Sequence, residues 1–149
     1  MNMLTDRGIE AYRLNQLELS INSAEPVELI VLLYDGAIGS VRRAVLLLGA
    51  SDVPGKAREI TRATNIISEL RAVLNLEKGG EIAANLAALY DYLRGQLLQA
   101  NLKNSVEKLE EVAALLTDLR GAWAELAESQ RDQTRTAGGV AAPLAARAG

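Results

Sequence analysis

Apolar residues recur at three- and four-residue steps in four separate runs, the spacing that lines up one face of an α-helix. Ile30, Leu33, Ala37, Val41, Ala44 and Leu48 make the first stripe. Pro26 marks its start, because proline's missing N–H costs nothing in a first turn. Gly49 to Asp52 reads as a turn, and Pro54 then opens a second helix with Ile60, Ala63, Ile67, Leu70 and Leu74 on one side. Lys78-Gly79-Gly80 supplies the backbone freedom that a tight reversal needs. The third stripe follows it as Ile82, Leu86, Leu89, Leu93, Leu97 and Ala100. Asn104, with Glu107 three residues later, has the form of a capping box. The fourth stripe is Leu109, Val112, Leu116, Leu119, Trp123 and Leu126. Helices with one apolar face each and short connections predict an all-α fold, an antiparallel up-and-down four-helix bundle.

The two ends are patterned differently. From Met1 to Asn22 a weak helical spacing at Leu4, Ile9, Tyr12 and Gln16 is interrupted by Gly8, which predicts a short, loosely held helix joined by extended chain. Beyond about Arg131 the sequence turns to Thr, Ala, Gly and Pro without period. Such a segment buries too little apolar surface to offset its ordering entropy, so the tail is expected to be disordered. The chain thus divides into an N-terminal segment (1–25), a bundle (26–130) and a tail (131–149).

Composition removes most chemistry. The 149 residues suit one domain, rich in Ala and Leu, with no Phe and only three prolines. There is no Cys, hence no disulfide or thiolate, and no His, the commonest general base and metal ligand. No cofactor or metal is expected. A formal charge of −3 with dispersed basic residues leaves no nucleic-acid footprint. No apolar run approaches the ~20 residues of a membrane span. Asp6, Arg7, Glu10 and Arg13 occupy the place of a signal peptide's apolar core. A soluble protein of the cytoplasm is expected.

Candidate catalytic groups have simpler explanations. Glu107, Glu110 and Glu111, and again Glu125 and Glu128, interleave with the apolar stripe as a solvated helix face, with Lys108 among them. Lys78-Gly79-Gly80 lacks the strand, the glycine spacing and the Lys-Ser/Thr ending of a phosphate loop. Two features exceed what a minimal bundle requires. Gly36, Gly39, Gly95 and Gly121 lie inside helices, at about 1 kcal/mol each relative to Ala. Close helix packing explains them equally with a shallow docking surface at Gly36 and Gly39, and explains the other two better. The apolar set is also wider than one stripe: Leu29, Leu32, Tyr34 and Ile38, then Ile66 and Val73, then Tyr90 and Tyr92. Deep burial or dimerisation would absorb it, as would a groove for an amphipathic helix from another protein.

Three blocks resolve that choice. They are Glu28-Leu29-Ile30 leading to Leu33-Tyr34-Asp35-Gly36-Ala37-Ile38, the whole run from Asn65 to Leu102, and Glu110-Glu111-Val112 through Leu115-Leu116 to Trp123. In order and spacing, from about Ala11 to Trp123, they resemble the flagellin-specific export chaperones, the FliS family. One departure is visible, since the family's serine before the first helix's proline is here Glu25. That predicts a weaker cap, with Glu28 still favouring the helix dipole.

The resemblance implies a chaperone, not an enzyme. It would hold the disordered C-terminal segment of flagellin, prevent premature polymerisation and deliver the client to the flagellar type III export apparatus. Further implied partners are a flagellar export gate protein and, in some members, an anti-sigma regulator; the expected assembly is a monomer or a weak homodimer. The flagellin-binding residues that the matching blocks imply are Tyr12 of a displaceable N-terminal cover and Leu33, Tyr34 and Ile38 of the first long helix. Ile66 and Leu70 face them from the second, and Leu89, Tyr90 and Tyr92 complete the set. Trp123 is read as a core anchor. The rival reading is a structural or dimerising helical bundle with no export client.

Overall fold

The computed structural model describes the backbone of residues 3–148 and the side chains of residues 7–136. Among the described residues five helices follow one another: α1 (Met3–Leu19), α2 (Val27–Gly49), α3 (Val53–Ala72), α4 (Leu76–Lys103) and α5 (Val106–Ala148). Among the described residues there is no strand, only one isolated antiparallel bridge between Ile21 and Leu74. Helix α2 packs against α3 and α5, and α4 packs against the same two, which closes a ring of four. Helix α1 lies outside that ring, against α4 and α5. Among the described residues no helix is long and apolar enough to cross a membrane.

Most boundaries follow local chemistry. Pro26, expected in the first turn with Glu25 as the cap, is itself the N-cap of α2, and proline has no side-chain group to make a cap bond. Helix α3 is capped by Asp52, whose carboxylate accepts from the Gly55 N–H at 2.9 Å, with Pro54 in the first turn. The α3–α4 connection has two parts. The chain leaves α3 at Val73–Asn75, where Asn75 caps a first turn of α4 by accepting from the Lys78 N–H at 3.0 Å. It then kinks at Gly80, with φ +51° and ψ −130°, so the glycine pair supplies the backbone freedom expected of it. That conformation is open essentially to glycine alone. Asn104 does not cap α5. It ends α4 in the left-handed conformation, and Ser105 accepts from the Lys108 N–H instead.

The expected stripes of α3 (Ile60, Ala63, Ile67, Leu70) and α5 (Leu109, Val112, Leu116, Trp123, Leu126) are buried, whereas those of α2 and α4 are rotated slightly. Tyr34, Ala37, Ile38, Val41 and Ala44 are buried on α2, whereas Leu33 and Leu48 are half-buried. On α4, Leu86, Tyr90, Leu93, Leu97 and Ala100 are buried, and Ile82 and Leu89 sit at the margin. Trp123 anchors α5 in the core, its indole N–H buried without a hydrogen-bond partner beside the Tyr34 hydroxyl. Lys56 is also interior. Its ammonium donates to the Asn101 carbonyl at 3.0 Å and to Asn104 Oδ1, tying α3 to the carboxyl end of α4, where the helix dipole favours a cation.

At the C-terminus the backbone of α5 remains helical to Ala148, past Arg131, where the sequence pattern leads one to expect disorder. An Ala-rich run has high helix propensity, and extending an existing helix requires no new nucleus.

Candidate functional site

Two surface features stand out among the described residues. The first is the attachment of α1. Its far end is fixed: the Asn75 N–H donates to the Ser20 carbonyl at 2.8 Å, and the Asn22 N–H donates to the Val73 carbonyl at 3.1 Å. Ile21 between them is buried in the core. Gly79 makes this approach possible, because a Cβ there would lie 2.7 Å from the Ser20 Cα. The rest of α1 is held lightly. Leu14 and Leu17 are only half-buried against the core, Ile9 and Tyr12 are exposed, and a hydrogen bond from the Gln130 amide to Glu18 spans 3.0 Å.

The second feature is apolar surface outside the ring. Leu46 on α2 is 72% exposed. It overlooks a furrow of about 690 Å³ between α2 and α5, walled by Val45, Ala113, Ala114 and Thr117. Arg42 lines it from α2, and Glu110 and Asp118 from α5. A second furrow of about 510 Å³ lies between α3 and α4, with Ile60, Thr61, Thr64, Gly95 and Leu98 in its walls. Leu98 is 57% and Leu102 70% exposed along α4. Nothing lies within 4 Å of a Cβ built on Gly95, so that wall is shallow. Gly36, by contrast, serves close packing of α2 on α3, since a Cβ there would meet Ile66 Cδ1 at 3.2 Å.

Ion pairs brace the ring beside these furrows. Arg71 of α3 holds Asp91 of α4 at 2.8 Å, and this guanidinium keeps the Asp91 carboxyl below its usual range. Arg120 of α5 pairs with Asp35 of α2, and the Tyr92 phenol donates to Glu111 across α4 and α5, which pushes its ionisation up. All are exposed, so each contributes little to stability.

The residues that the sequence motifs single out do not form one surface. Tyr34, Ile38, Leu70 and Tyr90 are interior, and in this conformation no partner reaches them. Leu33, Ile66 and Leu89 are half-buried at the edge of the core. Only Tyr12 and Tyr92 are exposed, on different helices. Leu46, Leu98 and Leu102, the most exposed apolar residues beside the furrows, lie outside that set. Their one sequence signal is that they fall off every stripe while remaining apolar.

Comparison with known proteins agrees with this architecture. Residues 8–130 match the family model described as flagellar protein FliS. The flagellar secretion chaperone FliS of Salmonella typhimurium is 46% identical over 125 residues, covering 83% of this chain and 93% of that protein. Its counterpart in Bacillus subtilis is 38% identical over 122 residues, covering 82% of this chain and 90% of that protein. A crystal structure of a bacterial flagellar chaperone shares the fold at a TM-score of 0.65 and 20% identity, covering 71% of this chain and 86% of that one. These relatives are secretion chaperones and not enzymes. The chain belongs to the flagellar protein FliS family.

Proposed function

We propose that this chain is a cytoplasmic export chaperone for flagellin, built on an antiparallel up-and-down four-helix bundle. Its client is the disordered C-terminal region of flagellin, which folds into short helices as it wraps the bundle. The observation that carries this reading is apolar side chains left open beside shallow furrows, Leu46 on one side and Leu98 on the other, in a chain of this family. Small residues such as Ala113, Ala114 and Gly95 in the furrow walls suit a helix lying close to the backbone.

Coverage is the mechanism. A segment that polymerises through apolar helix faces stays monomeric while those faces are occupied. Free chaperone at about 100 times the dissociation constant protects the client by about 2.7 kcal/mol. Ordering a disordered segment costs roughly 2–5 kcal/mol of the gross interaction, so a wide interface still releases its client. Release would occur at a flagellar export gate protein, with an anti-sigma regulator as a further partner. In this reading α1 is a displaceable cover over part of the client's path.

The test mixes the full chain with a peptide from the flagellin C-terminus and follows far-ultraviolet circular dichroism. Helical signal beyond the sum of the parts, saturating at one-to-one, is expected. No gain, together with a stable homodimer that buries the furrow residues, would instead mean a dimerising bundle without a client.

A further inference from the structure

We infer that α1 is a hinged latch, fixed at Ser20–Asn22, whose free length docks on α5 more firmly when Glu125 is protonated than when it is charged. The inference rests on α1 being a displaceable cover, but its test uses no client and can fail while flagellin still binds.

The fixed end is the pair of backbone hydrogen bonds to Val73 and Asn75, with Ile21 in the core. The free length faces a cleft of about 980 Å³ between α1 and α5, in which carboxylates face one another. Glu10 comes from α1, and Glu125, Glu128 and Asp132 come from α5, Asp132 being paired with Arg135 at 2.8 Å, with Leu14 as the apolar wall. The adjoining cleft brings Arg7 and Glu18 of α1 against Leu126 and Gln130. Among the described residues, neither α2 nor α4 contributes a side chain to these clefts.

The Glu10 carboxylate, by hydrogen bonding and by charge, raises the ionisation of Glu125, and Arg13 partly opposes it. The docked state therefore binds protons more tightly than the undocked state, in which Glu10 is remote. Linkage then requires docking to strengthen as pH falls and to weaken as pH rises through the Glu125 ionisation range. Both groups reach solvent, so salt should shrink the effect.

Amide hydrogen exchange along α1 of the full chain reads this directly, after correction for intrinsic rates. Protection over residues 9–17 should rise from pH 7.5 to 5. Glu125→Gln should give the acid-level protection at both pH values, and Glu10→Gln should do the same from the other side. Glu107→Gln, in the first turn of α5 and about 27 Å along the helix from Glu125, should leave the pH response intact. A flat response in the wild-type chain, or a full response surviving in Glu125→Gln and Glu10→Gln, would overturn the inference.

Discussion

Tyr34 of α2 and Tyr90 of α4 hydrogen-bond to each other through their hydroxyls at the centre of the bundle, their ring centroids 6.5 Å apart. Both side chains are enclosed; Tyr90 has Tyr34 as its polar partner, while Tyr34 also lies beside the Trp123 indole N–H. Tyr34→Phe would strand the Tyr90 hydroxyl, at a cost of about 1–3 kcal/mol, and Tyr90→Phe, which leaves Tyr34 the indole, should cost less. The double substitution removes both polar groups and should recover most of that loss. A double-mutant cycle by urea denaturation measures the coupling, expected at about 1–2 kcal/mol.

The same pair sets an alkaline limit. Burial pushes the Tyr90 phenol up to about 12 and Tyr34 well above its ordinary value. The folded chain keeps protons that the unfolded chain releases from about pH 10, so stability falls as pH rises beyond that point. Stability measured from pH 9 to 11 should decline less steeply in the double phenylalanine variant than in the wild-type chain.

Truncation of α1 has a sharp boundary. Removing residues up to Glu18 takes away the lightly held length and should leave the helical signal of the remaining chain and its cooperative melting in place. Client affinity should rise if α1 covers the client's path. Cutting through Ile21 also removes a core side chain and the bond from the Asn75 N–H to the Ser20 carbonyl. Such a core loss costs about 2–5 kcal/mol, visible as a lower Tm.

Gly79 is a second handle on the same anchor. Gly79→Ala would place a Cβ 2.5 Å from the Ala83 Cβ and 2.7 Å from the Ser20 Cα. The chain at Ser20 must then move away, at about 1–3 kcal/mol. Exchange protection should fall at the Asn22 and Asn75 amides while the centre of α4 stays protected.

The furrows separate folding from binding. Leu46 and Leu98 are exposed, so Leu46→Glu and Leu98→Glu should change stability by less than about 0.5 kcal/mol. Peptide affinity measured by calorimetry should drop about tenfold for a substitution that places a charge against an apolar client face, equivalent to about 1.4 kcal/mol. Leu70→Glu would behave in the opposite way and unfold the bundle, because its side chain is interior.

Helix count, the starts of α2 and α3 and the family were legible in the linear chain, because each depends on groups within a few residues of one another. Pro26, Pro54 and Asp52 set helix starts by local sterics and hydrogen bonding, and stripe spacing needs no distant partner. The rotation of α3 and α5 was legible too, because each carries one narrow stripe, but that of α2 and α4 was not. Leu33 and Tyr34, or Leu89 and Tyr90, are adjacent apolar residues about 100° apart on the helix, and periodicity alone does not choose which points inward. Packing chose the tyrosines, since each satisfies the other's hydroxyl across the core. Nor was the bonding of Ser20 and Asn22 to Asn75 and Val73 legible, since these segments are distant in sequence. Short-range forces wrote the helices; their facing surfaces, and with them the residues left open to a partner, were settled only when distant segments met.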